Sequence, residues 1–227
     1  MFCSTVIPTV GRQSLARAVD SVLHQAMEPA DFEVIVVNDS GQALNASPWQ
    51  ASKHVQMVST RCRDKSVARN TGAAMARGEY IHFLDDDDWL LPGALAAFRR
   101  ATRVSDAVLL YGASRLFSRN GVPLIELHHQ LEGNCFVQVM AGEWIPTGAY
   151  IVKAETFFSV GGYNPLMPVG EDVDLCRRIA LHGSFASVKA VVVCAVIGAQ
   201  GSTTDYDRLP AWSRRTRESI LDRSGAF

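Results

Sequence analysis

Acidic or amide side chains occur in three short groups, each after an apolar run or before a helical pattern. The groups are Asn38-Asp39, the four aspartates at 85–88, and Glu171-Asp172. Adjacent carboxylates repel one another unless solvent or a cation compensates their charge. Their oxygens are ligands that hard divalent ions such as Mg2+ and Mn2+ prefer. The four aspartates therefore indicate either a cation site or a solvated acidic turn that caps the helix expected after Pro92.

The segments around these groups predict an α/β sheet. The run 80–84 is apolar except for His82, as in a parallel strand that is covered on both faces. Residues 3–7 and 32–37 form two similar runs, and apolar residues recur at helical spacing over 14–27 between them. This order predicts a right-handed βαβ unit. Because ligands of such sheets bind beyond the carboxyl ends of strands, the aspartates at 85–88 lie where a site is expected.

The second half of the chain predicts a less regular structure. Asn120-Gly121 is typical of a hairpin turn. A helix is expected over 171–182, with acidic residues in its first turn and Gly183 after its end. We therefore expect a single α/β domain over 1–227, with a Rossmann-like, mostly parallel central sheet flanked by helices and a smaller mixed subregion. Its approximate parts are residues 1–105, residues 106–200 and a C-terminal tail, 201–227.

The composition excludes several classes of protein. The chain has 227 residues, 48% of them hydrophobic, and its net charge of −1 offers no general argument for nucleic-acid binding. The five cysteines include no C-x-x-C pair, which argues against a disulfide framework or a thiolate zinc site and favours a reducing compartment. No signal-peptide pattern and no membrane-spanning apolar run is visible, so a cytoplasmic location is expected.

Six short motifs, in this order and spacing, resemble the family 2 glycosyltransferases, which are inverting enzymes with the GT-A fold. The resemblance covers about residues 3–183, and the six motifs together are specific for the family but say little about which sugar moves. It implies that residues 1–105 bind a nucleotide-sugar and that residues 106–200 carry the acceptor side and the catalytic base. The motifs are Val6-Ile7-Pro8-Thr9, Val37-Asn38-Asp39, Ala68-Arg69-Asn70-x-Gly72, Gly78-Glu79-Tyr80-Ile81-x-Phe83-Leu84-Asp85-x-Asp87-Asp88, Gly161-Gly162-Tyr163 and Gly170-Glu171-Asp172-x-Asp174-Leu175.

The resemblance identifies Asp85-x-Asp87 as the D-x-D motif of the family. Asp87 would then be a ligand of Mn2+ or Mg2+, and Asp85 or Asp86 would face the ribose or the ion. The cation would stabilise the charge that develops on the departing nucleoside diphosphate. Asp88 is expected to cap the next helix instead.

The same resemblance places Asp39 at the base of the donor. An aspartate there accepts a hydrogen bond from the N3–H of uracil, a donor that cytosine lacks, which favours a UDP-sugar. An ordinary turn aspartate is the alternative. Five further residues are expected around the nucleotide or its pyrophosphate, although the last two would equally form surface salt bridges: Pro8, Thr9, Arg12, Arg63 and Arg69.

Inversion requires a base on the side opposite the leaving group, to take the proton of the attacking hydroxyl. By resemblance this base is Asp172. The alternative is that Glu171 and Asp172 are only first-turn acids of a helix, which are favourable there by about 0.3–1 kcal/mol each. The helix terminus is expected to lower the pKa of Asp172, so that its carboxylate is ionised at neutral pH.

The acceptor is expected to be a carbohydrate, a lipid-linked compound or another hydroxyl compound. It would contact Glu171 and Trp144, although core packing would equally explain the tryptophan. The sequence departs from the family pattern in having no histidine from Ala195 to Ser202, so the pyrophosphate and water would complete the cation site. Acceptor-side elements supplied by a second subunit, and peripheral contact with the inner face of a membrane through Arg214-Arg215, are further possibilities.

Two other functions fit parts of the sequence. One is a non-catalytic nucleotide-sugar-binding module, which the absent histidine and the short tail would allow. The other is a sugar nucleotidyltransferase, which also uses acidic strand ends and Mg2+. Such enzymes usually begin with a glycine-rich basic loop, whereas residues 7–12 of this chain contain one glycine.

Overall fold

The computed structural model of the protein describes residues 1–197 and 209–224. In its first half, one strand lies between two parallel neighbours and a fourth strand pairs with the outer edge, also in parallel. Nearly every residue of the three inner strands is buried, which explains why their sequences are mainly apolar. The predicted βαβ unit is therefore confirmed. The four strands are β1 (Cys3–Thr9), β2 (Phe32–Asn38), β3 (Val55–Ser59) and β4 (Tyr80–Phe83).

Three helices occur in the first half of the sequence: α1 (Leu15–Leu23), α2 (Lys65–Met75) and α3 (Ala94–Thr102). Helix α1 buries its apolar face on the sheet, as its spacing predicts. Helix α2 begins after Asp64, whose side chain accepts a hydrogen bond from the backbone N–H of Val67. Helix α3 begins two residues later than expected after Pro92, because Gly93 has a left-handed conformation (φ 82°) and precedes its first turn.

The second half is mixed, as expected. The hairpin at Asn120-Gly121 is confirmed, and its first strand begins as early as Leu109. The elements are β5 (Trp89–Leu90), β6 (Leu109–Phe117), β7 (Pro123–Leu127), α4 (Phe136–Ala141), β8 (Tyr150–Lys153), α5 (Ala154–Ser159), α6 (Glu171–Ala180), β9 (Phe185–Val196) and α7 (Leu209–Ser224).

All strands of the described residues belong to one sheet, in the order β3-β2-β1-β4-β8-β6-β9-β5, with β7 on β6. Strand β8 is antiparallel to both β4 and β6, whereas β6 and β9 are parallel. The sheet is thus parallel over its first four strands and more mixed beyond them than the expected "mostly parallel" arrangement. The carboxyl end of β4 lies near the middle of this sheet, and the four aspartates follow it directly.

Gly72 allows α2 to lie close to the sheet. A Cβ atom at this position would lie 2.4 Å from Cγ1 of Val6 and 2.9 Å from Cγ2 of Val37. The sequence predicts such a close approach, because glycine inside a helix costs about 1 kcal/mol relative to alanine. The close packing fixes the distance of α2 from β1 and β2, and α2 carries Arg69 towards the acidic residues.

The arginine-rich end of the chain includes α7, which packs against α6 through the buried Arg177. The guanidinium of Arg177 donates to the carbonyl oxygen of Ser213 at 3.0 Å and to Oγ1 of Thr216 at 2.6 Å. Ile220 is buried as well. Among residues 1–197 and 209–224, no helix has the length and apolar character needed to cross a bilayer.

Candidate active site

The four aspartates form a tight turn after β4. The backbone N–H of Asp88 donates to the carbonyl oxygen of Asp85 at 3.1 Å. Side-chain oxygens of three members, Asp85, Asp87 and Asp88, lie within 4.8 Å of one another. Because Asp86 is not part of this group, the four carboxylates have different surroundings.

The three grouped carboxylates fit a divalent cation. Burial together with the charge of Asp85 raises the pKa of Asp87 to about 6. Burial and the charges of Asp85 and Asp87 also raise the pKa of Asp88 well above its usual value. Converging oxygens whose charges repel one another are what a hard cation compensates. The residues present therefore fit Mn2+ or Mg2+, and the set includes both residues predicted for it, Asp85 and Asp87.

Asp86 faces away from this group, towards the loop after β1. Its Oδ2 accepts a hydrogen bond of 2.5 Å from the hydroxyl of Thr9, and its Oδ1 is paired with Arg12. Asp86 is buried. A contact of Asp86 with the ribose or the ion stays a prediction, and in this structure its two carboxylate oxygens are engaged by Thr9 and Arg12. The side chains of Thr9 and Arg12, expected at the nucleotide, hold the acidic turn against β1.

Asp88 does not cap α3. Its Oδ1 accepts a hydrogen bond of 3.1 Å from the backbone N–H of Val196, at the end of β9. That helix begins only at Ala94. The expectation of a capping role is wrong because β5 lies between the turn and the helix. Strand β5 pairs with β9, so Asp88 lies next to β9.

Arg69 connects the acidic turn to the first turn of α6. Its Nη2 lies 2.5 Å from Oδ1 of Asp85, and its Nη1 lies 2.9 Å from Oε1 of Glu171. The side chain of Arg69 is 3% exposed, and that of Asp85 is 40% exposed. Burial opposes the charge of Asp85, but Arg69 outweighs it, and the pKa of Asp85 is lowered. Asp85 therefore presents an ionised carboxylate to the site.

Asp172 follows Glu171 in the first turn of α6. Its Oδ1 accepts a hydrogen bond of 2.8 Å from the backbone N–H of Val173. Burial and the adjacent charge of Glu171 nevertheless raise the pKa of Asp172 to about 6. The expected lowering by the helix terminus is therefore wrong in direction, because loss of solvent outweighs the helix end. The carboxylate is still largely ionised at neutral pH.

The profile of "Glycosyl transferase family 2" matches residues 4–140, more than half of the chain. The chain belongs to glycosyl transferase family 2. The match begins in β1, contains α2 and the acidic turn, and ends in α4. It thus covers the cation-binding candidates directly, whereas Glu171 and Asp172 lie beyond it.

Two curated relatives and one solved structure show how far the similarity of this family 2 chain extends. Poly(ribitol-phosphate) beta-N-acetylglucosaminyltransferase TarP of Staphylococcus aureus is 32% identical over 115 residues, which are 48% of this chain and 35% of TarP. Pre-mycofactocin glycosyltransferase of Mycobacterium tuberculosis is 29% identical over 176 residues, 72% of this chain and 37% of the relative. Matched segments thus span about a third of these relatives.

The fold of the family 2 chain matches that of S. aureus TarS 1-349 in complex with UDP-GlcNAc. The TM-score is 0.74 at 15% identity, over 97% of this chain and 70% of the TarS chain. At this identity the similarity concerns the fold. It confirms the expected GT-A, Rossmann-like α/β architecture, including the mixed subregion that the sequence describes only weakly.

Asp39, predicted at the uracil base, has structural partners in this family 2 chain. Its Oδ1 accepts from the hydroxyl of Thr60 at 2.7 Å and from the backbone N–H of Cys62 at 2.9 Å. Its Oδ2 accepts from the backbone N–H of Asp64 at 2.7 Å. The carboxylate thus folds the loop between β3 and α2. A contact with uracil stays a prediction.

The remaining predicted residues have different surroundings. Pro8 is half-buried beside Thr9, and Arg63 is exposed in the loop that Asp39 organises, with a left-handed backbone (φ 50°). Trp144 is 39% exposed, so core packing does not explain it. Glu171 is only 3% exposed and faces Arg69 and Lys65 instead of an open acceptor surface, because its charge compensates those buried or half-buried cations.

Sequence reasoning missed several residues around the site. Lys65 pairs with Glu171 at 2.7 Å, and Arg17 donates to the carbonyl oxygen of Asp87 at 2.9 Å. Asn70 exchanges two hydrogen bonds with the backbone of Tyr163, at 2.7 and 2.9 Å. Asn70 and Tyr163 each belong to one of the six motifs, so the motifs offered a signal from which this contact could have been predicted. No pattern points to Arg17. The sequence from Ala195 to Ser202 contains no histidine, and its part from residue 198 onwards lies outside the described residues.

Proposed function

We propose that this chain transfers a sugar, with inversion, from a UDP-sugar to a hydroxyl group of a carbohydrate, lipid-linked or other acceptor. Asp85, Asp87 and Asp88 would hold Mn2+ or Mg2+, and Asp172 would be the general base. The observation that carries this proposal is the contact of Arg69 with both Asp85 and Glu171. It joins the candidate cation-binding turn to the residue next to the candidate base, which supports a single site that contains both.

The donor side depends on how the chain keeps its carboxylates charged and oriented. Arg69 keeps Asp85 ionised, and Thr9 together with Arg12 fixes the turn through Asp86. When bound, the cation supplies Lewis-acid stabilisation of the diphosphate that leaves. The choice of UDP is supported by the fold similarity to the TarS complex with UDP-GlcNAc and by the aspartate at position 39.

The acceptor side depends on Asp172. Its Oδ1 is engaged by the backbone of Val173, so we assign Oδ2 to the proton of the acceptor hydroxyl. A base with a pKa of about 6 is mainly ionised at neutral pH and far less basic than an alkoxide. The hydroxyl therefore loses its proton as the bond to the sugar forms, not beforehand.

The test is an assay of UDP release from a panel of UDP-sugars with Mn2+, with and without candidate hydroxyl acceptors. Asp172→Asn should lower transfer by about 10²–10⁴-fold, the usual contribution of a general base, and leave the affinity for the donor nearly unchanged. Asp20→Asn, at an exposed position on α1, is the matched control.

Three outcomes would contradict the proposal. Release of pyrophosphate instead of UDP would indicate a nucleotidyltransferase. Donor binding with neither transfer to any acceptor in the panel nor hydrolysis of the donor would indicate a binding module. A large loss of donor affinity in Asp172→Asn would remove this residue from the role of base.

A further inference from the structure

Arg17 makes two contacts at the outer side of the acidic turn. Its Nη2 donates to the carbonyl oxygen of Asp87 at 2.9 Å. Its Cζ lies 3.8 Å from the centroid of the Trp89 ring, so the guanidinium stacks on the indole. Arg17 itself is exposed on α1. Packing in the core therefore does not dictate the position of this side chain, and the two contacts define it.

Helix α1, which carries Arg17, and Trp89, on which Arg17 stacks, are both packed against other parts of the fold. On one side, the neighbouring Ala18 and Val19 are fully buried and anchor α1 to the sheet. On the other side, Trp89 pairs with Cys194 of β9, and its ring centroid lies 5.2 Å from that of Phe117. Arg17 thus connects a fixed helix to the end of the acidic turn.

The carbonyl carbon and the side chain of Asp87 are both attached to its Cα atom, so a contact that fixes the carbonyl also restrains the backbone from which the carboxylate extends. Within the turn, the N–H of Asp88 is bonded to Asp85, and the side chain of Asp86 is bonded to Thr9. The bond from Arg17 adds a constraint on the peptide group of Asp87. In this conformation a carboxylate oxygen of Asp87 lies within 4.8 Å of oxygens of Asp85 and Asp88.

We propose that Arg17 is a positioning residue for the cation site: it holds Asp87 in the orientation that binds the metal, without contacting the metal or the donor. This inference rests on the proposed function. The direction in which Mn2+ affinity changes on loss of Arg17 distinguishes a positioning role from a simple charge effect. Loss of a nearby positive charge would by itself strengthen the binding of a divalent cation. Loss of a positioning contact weakens it.

The experiment compares the dissociation constant of Mn2+ by calorimetry for the full chain and its variants, at fixed pH and ionic strength. Arg17→Met keeps an apolar stem but loses the donor, and we expect about tenfold weaker Mn2+ binding, the lower range for residues that support metal ligands. Arg17→Lys keeps a cation and a donor and should stay within about threefold of the wild type. Arg100→Met removes an exposed arginine from α3 and should change nothing.

Transfer at saturating Mn2+ supplies a second measurement, and kcat should stay within about twofold of the wild type in Arg17→Met. Unchanged or tighter Mn2+ binding in that variant would overturn the positioning role. A fall in kcat with unchanged Mn2+ affinity would overturn it too. Wild-type Mn2+ affinity in Asp87→Asn would instead overturn the cation site of the proposed function, so the two failures are distinguishable.

Discussion

Arg69 and Glu171 form a buried ion pair, with Nη1 of the arginine 2.9 Å from Oε1 of the glutamate and each side chain 3% exposed. The residues are 102 positions apart in sequence. One lies in α2, on the side expected to bind the donor, and the other begins α6 next to the proposed base. The two sides of the proposed site are therefore joined by a charge pair that water barely reaches, and its geometry sets their separation.

The first prediction concerns this pair. Arg69→Met should lower the free energy of unfolding by about 3–5 kcal/mol, because removal of one partner leaves a buried charge uncompensated. Lys65, which also contacts Glu171, reduces this loss. Urea denaturation of Arg69→Met, Glu171→Gln and the double variant should show a coupling energy of about 0.5–3 kcal/mol.

A surface ion pair is the control for this measurement. Arg115 and Glu126 are 2.8 Å apart but about two-fifths exposed. Arg115→Met should therefore cost at most about 1 kcal/mol. Additive effects of the two substitutions at Arg69 and Glu171 would show that the contact does not join the two sides energetically.

The second prediction is the pH dependence of transfer. The pKa of Asp172 is raised to about 6, so its carboxylate holds a proton below that pH and cannot accept one from the acceptor. At saturating Mn2+, kcat/KM should fall about tenfold per pH unit below pH 6 and level off above it. Initial rates between pH 5 and pH 8 measure this.

Glu171→Gln tests the cause of that pKa. Burial is the larger cause and the charge of Glu171 the next, so neutralising Glu171 should move the acidic limb to lower pH without removing it. A profile that is flat down to pH 5 in the wild type would argue against Asp172 as the titrating base.

The third prediction concerns the stability of the acidic turn. In the fold, the pKa of Asp87 is raised from 3.8 to about 6, so folding disfavours its charged form. The protein is then most stable, with respect to this group, below the unfolded value and loses stability as pH rises through about 6. At pH 7 without metal, Asp87→Asn should raise Tm by a few degrees, and the gain should vanish below about pH 4.

With Mn2+ present, the wild type should have a higher Tm than Asp87→Asn, the reverse of the order without metal. The cation should raise Tm of the wild type, because it binds only the folded turn, and should hardly change Tm of Asp87→Asn. Differential scanning calorimetry with EDTA and with Mn2+ measures both effects. Equal stabilisation of the two proteins by Mn2+ would place the cation elsewhere.

The fourth prediction concerns Gly72. Alanine favours a helix by about 1 kcal/mol over glycine. Its Cβ would, however, lie 2.4 Å from Val6, and overpacking of this kind costs about 1–3 kcal/mol. Gly72→Ala should therefore fail to stabilise the protein in urea denaturation. The cost should shrink in a Val6→Ala background.

Ala74→Gly, at the exposed face of the same helix, measures the difference in helix propensity alone. It should lower the free energy of unfolding by about 1 kcal/mol. A net stabilisation by Gly72→Ala of the full propensity difference would show that α2 shifts freely from the sheet. Such a shift would also move Arg69, so donor binding in this variant reports whether the helix position matters.

The sequence was sufficient for the elements that repeat a local pattern. The apolar runs of β1, β2 and β4, the spacing of α1 and the acidic first turn of α6 each predict their own structure, because the pattern of apolar and charged residues is a local property of the chain. The motifs likewise identified the family and the turn with its four aspartates. The antiparallel insertion of β8 was not predictable, since its four residues carry no signal for the direction of their partners.

What each aspartate of the turn does was decided only by the tertiary structure. Asp85 to Asp88 are chemically identical in sequence, but they meet Arg69, Thr9 with Arg12, the grouped carboxylates, and the N–H of Val196 respectively. The direction of the pKa shift of Asp172 was decided in the same way, because burial by distant segments outweighs the local helix end. Local order follows from neighbours along the chain, whereas charge, orientation and partner depend on residues that only folding brings together.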